Sequence, residues 1–96
     1  WSWSSLDIIS FIRAFSHPYN GAFSFISGKK IRIFKAIFKK SKYKFHPFQN
    51  GIIFRVEKDK IYIASGKNEI IIDRKYTKNF NKDLKSYLGK RFIDEK

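Results

Sequence analysis

Between Phe15 and Ala22 the spacing of apolar residues changes from a helical period to a strand period, and the turn that separates the two regimes decides what the chain can become. Upstream, Ile8, Ile9, Ile12 and Phe15 fall on one face of a helix over residues 5 to 15, as an amphipathic helix requires. Ser4 stands where an N-cap hydroxyl is needed, with Asp7 three residues on, close to a capping box. Pro18 pushes His17 out of the helical region, and Asn20-Gly21 tolerates a positive φ, so the chain reverses over residues 17 to 21.

Beyond the turn the pattern alternates. Residues 22 to 27 read as a strand, Gly28-Lys29 as a turn, and residues 30 to 39 as a second strand. Ile31 and Ile33 alternate with Lys30 and Arg32, but Phe34, Ala36 and Phe38 continue the same apolar face only if one residue is inserted near Ile33-Phe34. A β-bulge is expected there, with Lys30, Arg32, Lys35 and Lys39 sharing the outer face. Residues 39 to 50 form a polar loop closed by His46-Pro47 and Asn50-Gly51. Three strands follow over residues 51 to 57, 60 to 64 and 69 to 76, separated by the turn formers Lys58-Asp59 and Ser65-Gly66-Lys67-Asn68. Residues 82 to 88 suit a last short helix, with Asn81 as N-cap and Gly89 as its stop. The fold class expected is mainly β with short flanking helices: a small five-stranded OB-like barrel preceded by an amphipathic linker helix, since closure removes bare sheet edges.

Composition narrows the function classes. Ninety-six residues hold one modest core. There is no Cys, and two His cannot make a structural zinc site, so stability rests on packing among eleven Phe, five Tyr, two Trp and many Ile. No metal site is expected. No segment is apolar for long enough to suggest a membrane span, and a cytoplasmic location is expected. The chain opens on Trp1 without a leader and is taken as a fragment of a longer protein. A net charge of +13 invites a polyanion, because clustered cations release counterions from phosphates. Sixteen of the 21 basic residues are Lys, however, and AT-rich codon usage produces the same bias without selection for binding.

The segment Arg13-Ala14-Phe15-Ser16-His17-Pro18-Tyr19-Asn20-Gly21-Ala22-Phe23 resembles the R-A-x-x-H-P-Y-P-G-A-F pattern of formyltransferases that use formyl-tetrahydrofolate, above all those acting on amino-sugar nucleotides. Trp3 resembles the family's D-W element, Gly51-Ile52-Ile53 its P-G-x-I strand start, Ser65-Gly66-Lys67-Asn68 its G-D-G turn, and Gly89-Lys90-Arg91-Phe92 its closing G-x-R-L segment. Asn20 and Asn50 stand where the family usually has Pro. The resemblance implies that residues 1-20 are a linker helix and turn from a Rossmann-like catalytic domain upstream, and that residues 21-96 are a C-terminal OB-like barrel domain. It also implies that this fragment is not itself catalytic and binds no cofactor, while the parent enzyme uses formyl-tetrahydrofolate.

The residues expected near the acceptor are Arg13, as a bidentate donor to pyrophosphate, His17, as a phosphate or hydroxyl partner, and Tyr19, as a stacking platform. Each has a simpler role available: a capping cation for Arg13, a turn-satisfying ring for His17, core packing for Tyr19. Lys29, Lys30, Arg32, Lys35, Lys39, Lys40, Lys42 and Lys44, interleaved with Phe34, Phe38, Tyr43 and Phe45, form a candidate polyanion-binding run. Three functions therefore compete: acceptor support in a sugar-nucleotide N-formyltransferase, tRNA binding in a methionyl-tRNA formyltransferase, and generic single-strand nucleic-acid binding by an OB-type domain.

Overall fold

Ser4 caps the first element as its position suggests: its Oγ accepts from the Asp7 N–H at 3.2 Å, at the start of helix α1 (Ser5–Ala14). Ser5, Ile8, Ile9 and Ile12 are buried. Full burial of an Ile contributes about 1.5–3 kcal/mol of transfer free energy, so this face is held by the chain's own core. The Ser5 and Ser65 hydroxyls lie 2.8 Å apart, and Asn68 Nδ2 donates to Ser5 Oγ at 3.2 Å, tying the head of the helix to a distant hairpin. In this computed structural model residues 4–15, 21–78, 80 and 84–93 are described.

The rest is mainly β, in two sheets. β1 (Ala22–Ile26), β2 (Lys29–Ile33) and the two-residue β7 (Thr77–Lys78) form one sheet in the order β1-β2-β7. β3 (Ile37–Lys40), β4 (Ile53–Glu57), β5 (Lys60–Ser65) and β6 (Asn68–Asp73) form the other in the order β3-β6-β5-β4. All pairings are antiparallel. Alternation sends Ile31 and Ile33, Ile61 and Ile63, and Ile70 and Ile72 into one core with Ile26, Ile53 and Phe92, each almost wholly buried. Helix α1 packs across β1, β3 and β6 and adds its Ile face to the same cluster.

The C-terminal segment stitches the sheets together. A 3-10 turn (Leu84–Tyr87) ends at Gly89, whose φ of +81 a side chain would resist. The Gly89 N–H donates to the Ile53 carbonyl at 2.8 Å, the Ile53 N–H to Lys90, and the Phe92 N–H to Gly51. Ile93 and Phe25 then exchange two hydrogen bonds of 2.9 Å. Residues 89–93 thus bond to the start of β4 on one side and to β1 on the other.

Several expectations change. Seven strands, not five, lie among the described residues, and no closed barrel is found among them. The expected second strand is interrupted at residues 34–36 rather than bulged by one residue, so β2 and β3 belong to different sheets; the Phe34 N–H is held by the Tyr76 carbonyl at 2.8 Å. The register irregularity lies instead in β4, between Ile53 and Arg55. The first hairpin turns on Ser27-Gly28, both at positive φ, rather than on Gly28-Lys29. Residues 74–76 leave the sheet as a 3-10 turn (Arg74–Tyr76), with the Asp73 side chain accepting from the Lys75 N–H. Phe15 is 45% exposed, because α1 ends at Ala14 and Phe15, as C-cap, leaves helical geometry; its ring lies against Phe11 at 4.7 Å. Phe38 is 40% exposed on an edge strand whose four residues are all exposed. The expected N-cap Asn81 lies outside the described residues.

Candidate functional site

Residues 16–20 lie outside the described residues, and the residues that flank them are bonded to each other: the Phe15 carbonyl oxygen accepts from the Gly21 N–H at 2.8 Å. Gly21 has φ +89, and a Cβ there would meet the Phe34 ring at 3.1 Å and the Ile33 carbonyl at 3.2 Å. The position needs glycine for both backbone and space. Arg13 is exposed in the last turn of α1. His17 and Tyr19 lie outside the described residues.

The basic run does not stay on one element. Lys29, Lys30 and Arg32 lie on β2, Lys35 in the interruption, Lys39 and Lys40 on β3, and Lys42 and Lys44 in the loop that follows. Three of the eight are engaged with the protein itself. The Lys30 ammonium sits 4.2 Å from the centre of the Phe23 ring, Lys35 sits 5.0 Å from Tyr76, and Lys39 pairs with Glu69 at 3.4 Å. Lys29, Lys40, Lys42 and Lys44 are exposed and make no ion pair among the described residues.

Register assembles a cationic and aromatic face that sequence reasoning found only in half. On the outside of the first sheet Phe23 stands opposite Arg32 and Phe25 opposite Lys30, while Arg32 stands directly opposite Lys78 on its other side. Phe23 and Phe25 meet edge to face at 6.0 Å, and the Lys78 ammonium lies 5.6 Å from the Phe34 ring. Like charges directly opposed across strands are destabilising, and no carboxylate among the described residues pairs with either Arg32 or Lys78. The pair is a natural seat for an anion. Phe23 and Phe25 could have been found from the hairpin alone; Lys78 could not, because its pairing depends on the long return of β7.

The second sheet carries a different arrangement. Glu69, 5% exposed, accepts from Arg55 Nη2 at 3.3 Å as well as pairing with Lys39, and the Arg55 guanidinium lies 4.0 Å from the centre of the Tyr62 ring. The carboxylate is clamped between two cations and covers sheet surface. This is a structural triad, in which the charge of each group is spent on its neighbours. Among the described residues no group of three or more His, Asp or Glu is placed to hold a metal ion, and no helix is long and apolar enough to cross a membrane.

A family model described as formyl transferase, C-terminal domain, matches residues 1–85. No curated protein and no solved structure matches the chain.

Proposed function

Because this chain belongs to the formyl transferase C-terminal domain family, we propose that it is the non-catalytic, acceptor-side domain of an enzyme that formylates the amine of an amino-sugar nucleotide from formyl-tetrahydrofolate. The observation that carries this reading is the segment after α1. Its sequence reads H-P-Y, as that of the sugar-nucleotide branch does, the flanking Phe15 and Gly21 are bonded to each other, and Arg13 is exposed in the last turn of α1. A guanidinium at that place suits a pyrophosphate, whose paired oxygens match its fork of donors. The chemistry and the folate belong to a Rossmann-like domain upstream, in the cytoplasm, with residues 1-20 as the link and residues 21-96 as the domain proper.

An OB-like barrel is part of the same reading. β2 and β3 serve as one broken strand and β6 and β7 as another, which reduces seven strands to five, and the hydrogen bonds of residues 89–93 to β1 and β4 support it. The test of function uses the complete protein. Arg13→Ala is expected to raise the KM for the amino-sugar nucleotide about tenfold or more, the loss of roughly one charge-assisted hydrogen bond, and Tyr19→Ala by a similar factor, the loss of about one stacked base. Unchanged acceptor KM values in both variants would refute the placement.

The opposed Arg32 and Lys78 beside Phe23 and Phe25 favour a second reading, tRNA binding in a methionyl-tRNA formyltransferase. Titration with initiator tRNA and an unrelated single-stranded RNA at about 50 and 200 mM salt separates the readings, since several phosphate contacts lose orders of magnitude in affinity over that range. Tight, salt-sensitive binding that prefers tRNA selects the second, salt-sensitive binding without that preference selects generic single-strand binding, and weak binding of both selects the first.

A further inference from the structure

Among the described residues β3 is the outermost strand of its sheet, and the edge it leaves open has a readable pattern. The Ser41 N–H donates to the Lys67 carbonyl at 2.9 Å, and this bond continues the register in which Lys39 faces Glu69 and Ile37 faces Ile71. In an antiparallel ladder hydrogen-bonded pairs recur at every second residue. The N–H and C=O groups of Ile37, Lys39 and Ser41 therefore point to β6, and those of Phe38 and Lys40 point away from the sheet. Neither Phe38 nor Lys40 has a backbone partner on that side among the described residues. An edge of this kind is a template for one more strand.

We propose that the free edge of β3 receives an extended segment of another polypeptide, running antiparallel, with two acidic residues followed by two apolar ones. Two observations give the occupant its chemistry. Along β3 the exposed side chains read Ile37, Phe38, Lys39, Lys40, with Lys35, Lys42 and Lys44 on the flanks and no acid between Lys29 and Lys44. The edge thus offers two apolar contacts and then concentrated positive charge. The opposite edge of β3 is already filled by a strand of complementary pattern: Asn68 and Glu69 lie against Lys40 and Lys39, and Ile70 and Ile71 against Phe38 and Ile37. A second strand that follows the same rule satisfies the outward backbone groups and neutralises Lys40, which has no ion pair among the described residues.

A second copy of β3 does not fit this edge. Antiparallel self-pairing can join outward residues only to outward residues, so it places Phe38 against Lys40 and Lys39 directly against Lys39 of the copy, which opposes like charges and leaves the lysines without counter-charge, and each chain carries +13. Lys on an exposed edge is a common guard against such pairing. The same charge that repels a copy attracts an acidic strand.

The test titrates the isotope-labelled chain with the peptide acetyl-Thr-Glu-Glu-Val-Ile-Thr-amide, with the same peptide bearing Lys in place of both Glu, and with a single-stranded RNA oligonucleotide, following backbone amides by NMR. The Glu peptide is expected to shift the Phe38 and Lys40 amides and to slow their exchange with solvent about tenfold, as newly bonded amides do; the Lys peptide and the RNA are expected to leave that exchange unchanged. Lys40→Pro removes an outward donor without breaking a β3–β6 bond and is expected to weaken the Glu peptide about tenfold. Lys40→Glu, which keeps the backbone intact, is expected to reverse the preference between the two peptides. The proposal is overturned if the Glu peptide shifts other amides instead, or none at millimolar concentration. It is equally overturned if both variants bind the peptide as the native chain does, if RNA protects Phe38 and Lys40, or if those amides become protected by raising the chain's own concentration.

Discussion

Truncation of Phe92 to alanine tests whether the C-terminal segment is part of the fold's foundation. Phe92 is 1% exposed, packs in the Ile-rich core and meets Phe80 at 6.0 Å in a near-perpendicular arrangement, while its own N–H bonds to Gly51. A buried Phe→Ala change costs about 3–5 kcal/mol through lost transfer energy and the cavity left behind. Domains of this size are stable by only about 5–15 kcal/mol, so the variant loses a large share of its stability. Its midpoint in thermal unfolding is expected to fall by roughly 12–40 °C, at about 4–8 °C per kcal/mol for a domain this small. The control is Ile93→Ala in the next position, 41% exposed and bonded to Phe25 only through its backbone, which is expected to cost about 1 kcal/mol or less. Urea unfolding followed by circular dichroism, with the slope unchanged, gives both values. A Phe92→Ala cost below about 1 kcal/mol, or one equal to that of Ile93→Ala, would show that the segment is an appendage and would refute the packing argument. If Phe92→Ala does not fold, Phe92→Leu, expected to cost about 1–1.5 kcal/mol, carries the same comparison.

Other perturbations have definite expected outcomes. Gly21→Ala combines a positive φ with a Cβ 3.1 Å from the Phe34 ring, and is expected to cost about 1–3 kcal/mol in the same urea assay; a neutral effect would show that the Gly21 backbone and the Phe34 ring relax freely. Glu69→Gln leaves Arg55 and Lys39 without their shared carboxylate, and because both cations are partly exposed the cost is expected at about 1–2 kcal/mol, below that of breaking a fully buried pair. Lys78→Glu converts the opposed pair with Arg32 into an attractive one, so it is expected to stabilise the chain by about 0.2–1 kcal/mol while reducing the stabilisation that millimolar inorganic phosphate gives the native chain; thermal unfolding with and without phosphate checks both parts.

Much of this architecture was legible along the chain. The N-cap at Ser4, the helix it opens, and the β-meander of β4, β5 and β6 follow from local rules: a hydroxyl before an apolar period, and two-residue turns at Lys58-Asp59 and Gly66-Lys67 that join strands of alternating Ile. The interruption after Ile33 was signalled by a slip in phase, but its form was not. One inserted residue and a three-residue break shift the alternation alike, and only the Tyr76 carbonyl that holds the Phe34 N–H selects the break. Period alone puts Phe15 on the Ile face of the helix and Phe38 on the apolar face of the second strand, yet their exposure depends on where α1 ends and on β3 being an edge.

The candidate site divides along the same line. By itself the sequence determined the family-like turn, the helix that leads into it and the charge of the chain, since each is carried by residues near one another in the chain. Tertiary structure alone decided that the basic run is shared between two sheets and that Arg32 faces Lys78. It alone decided that Glu69 is buried between two cations, and that residues 89–93 bind β1 to β4. Those four facts rest on pairings between residues distant in sequence, whose register is settled when the inward Ile sets of all the strands share one core.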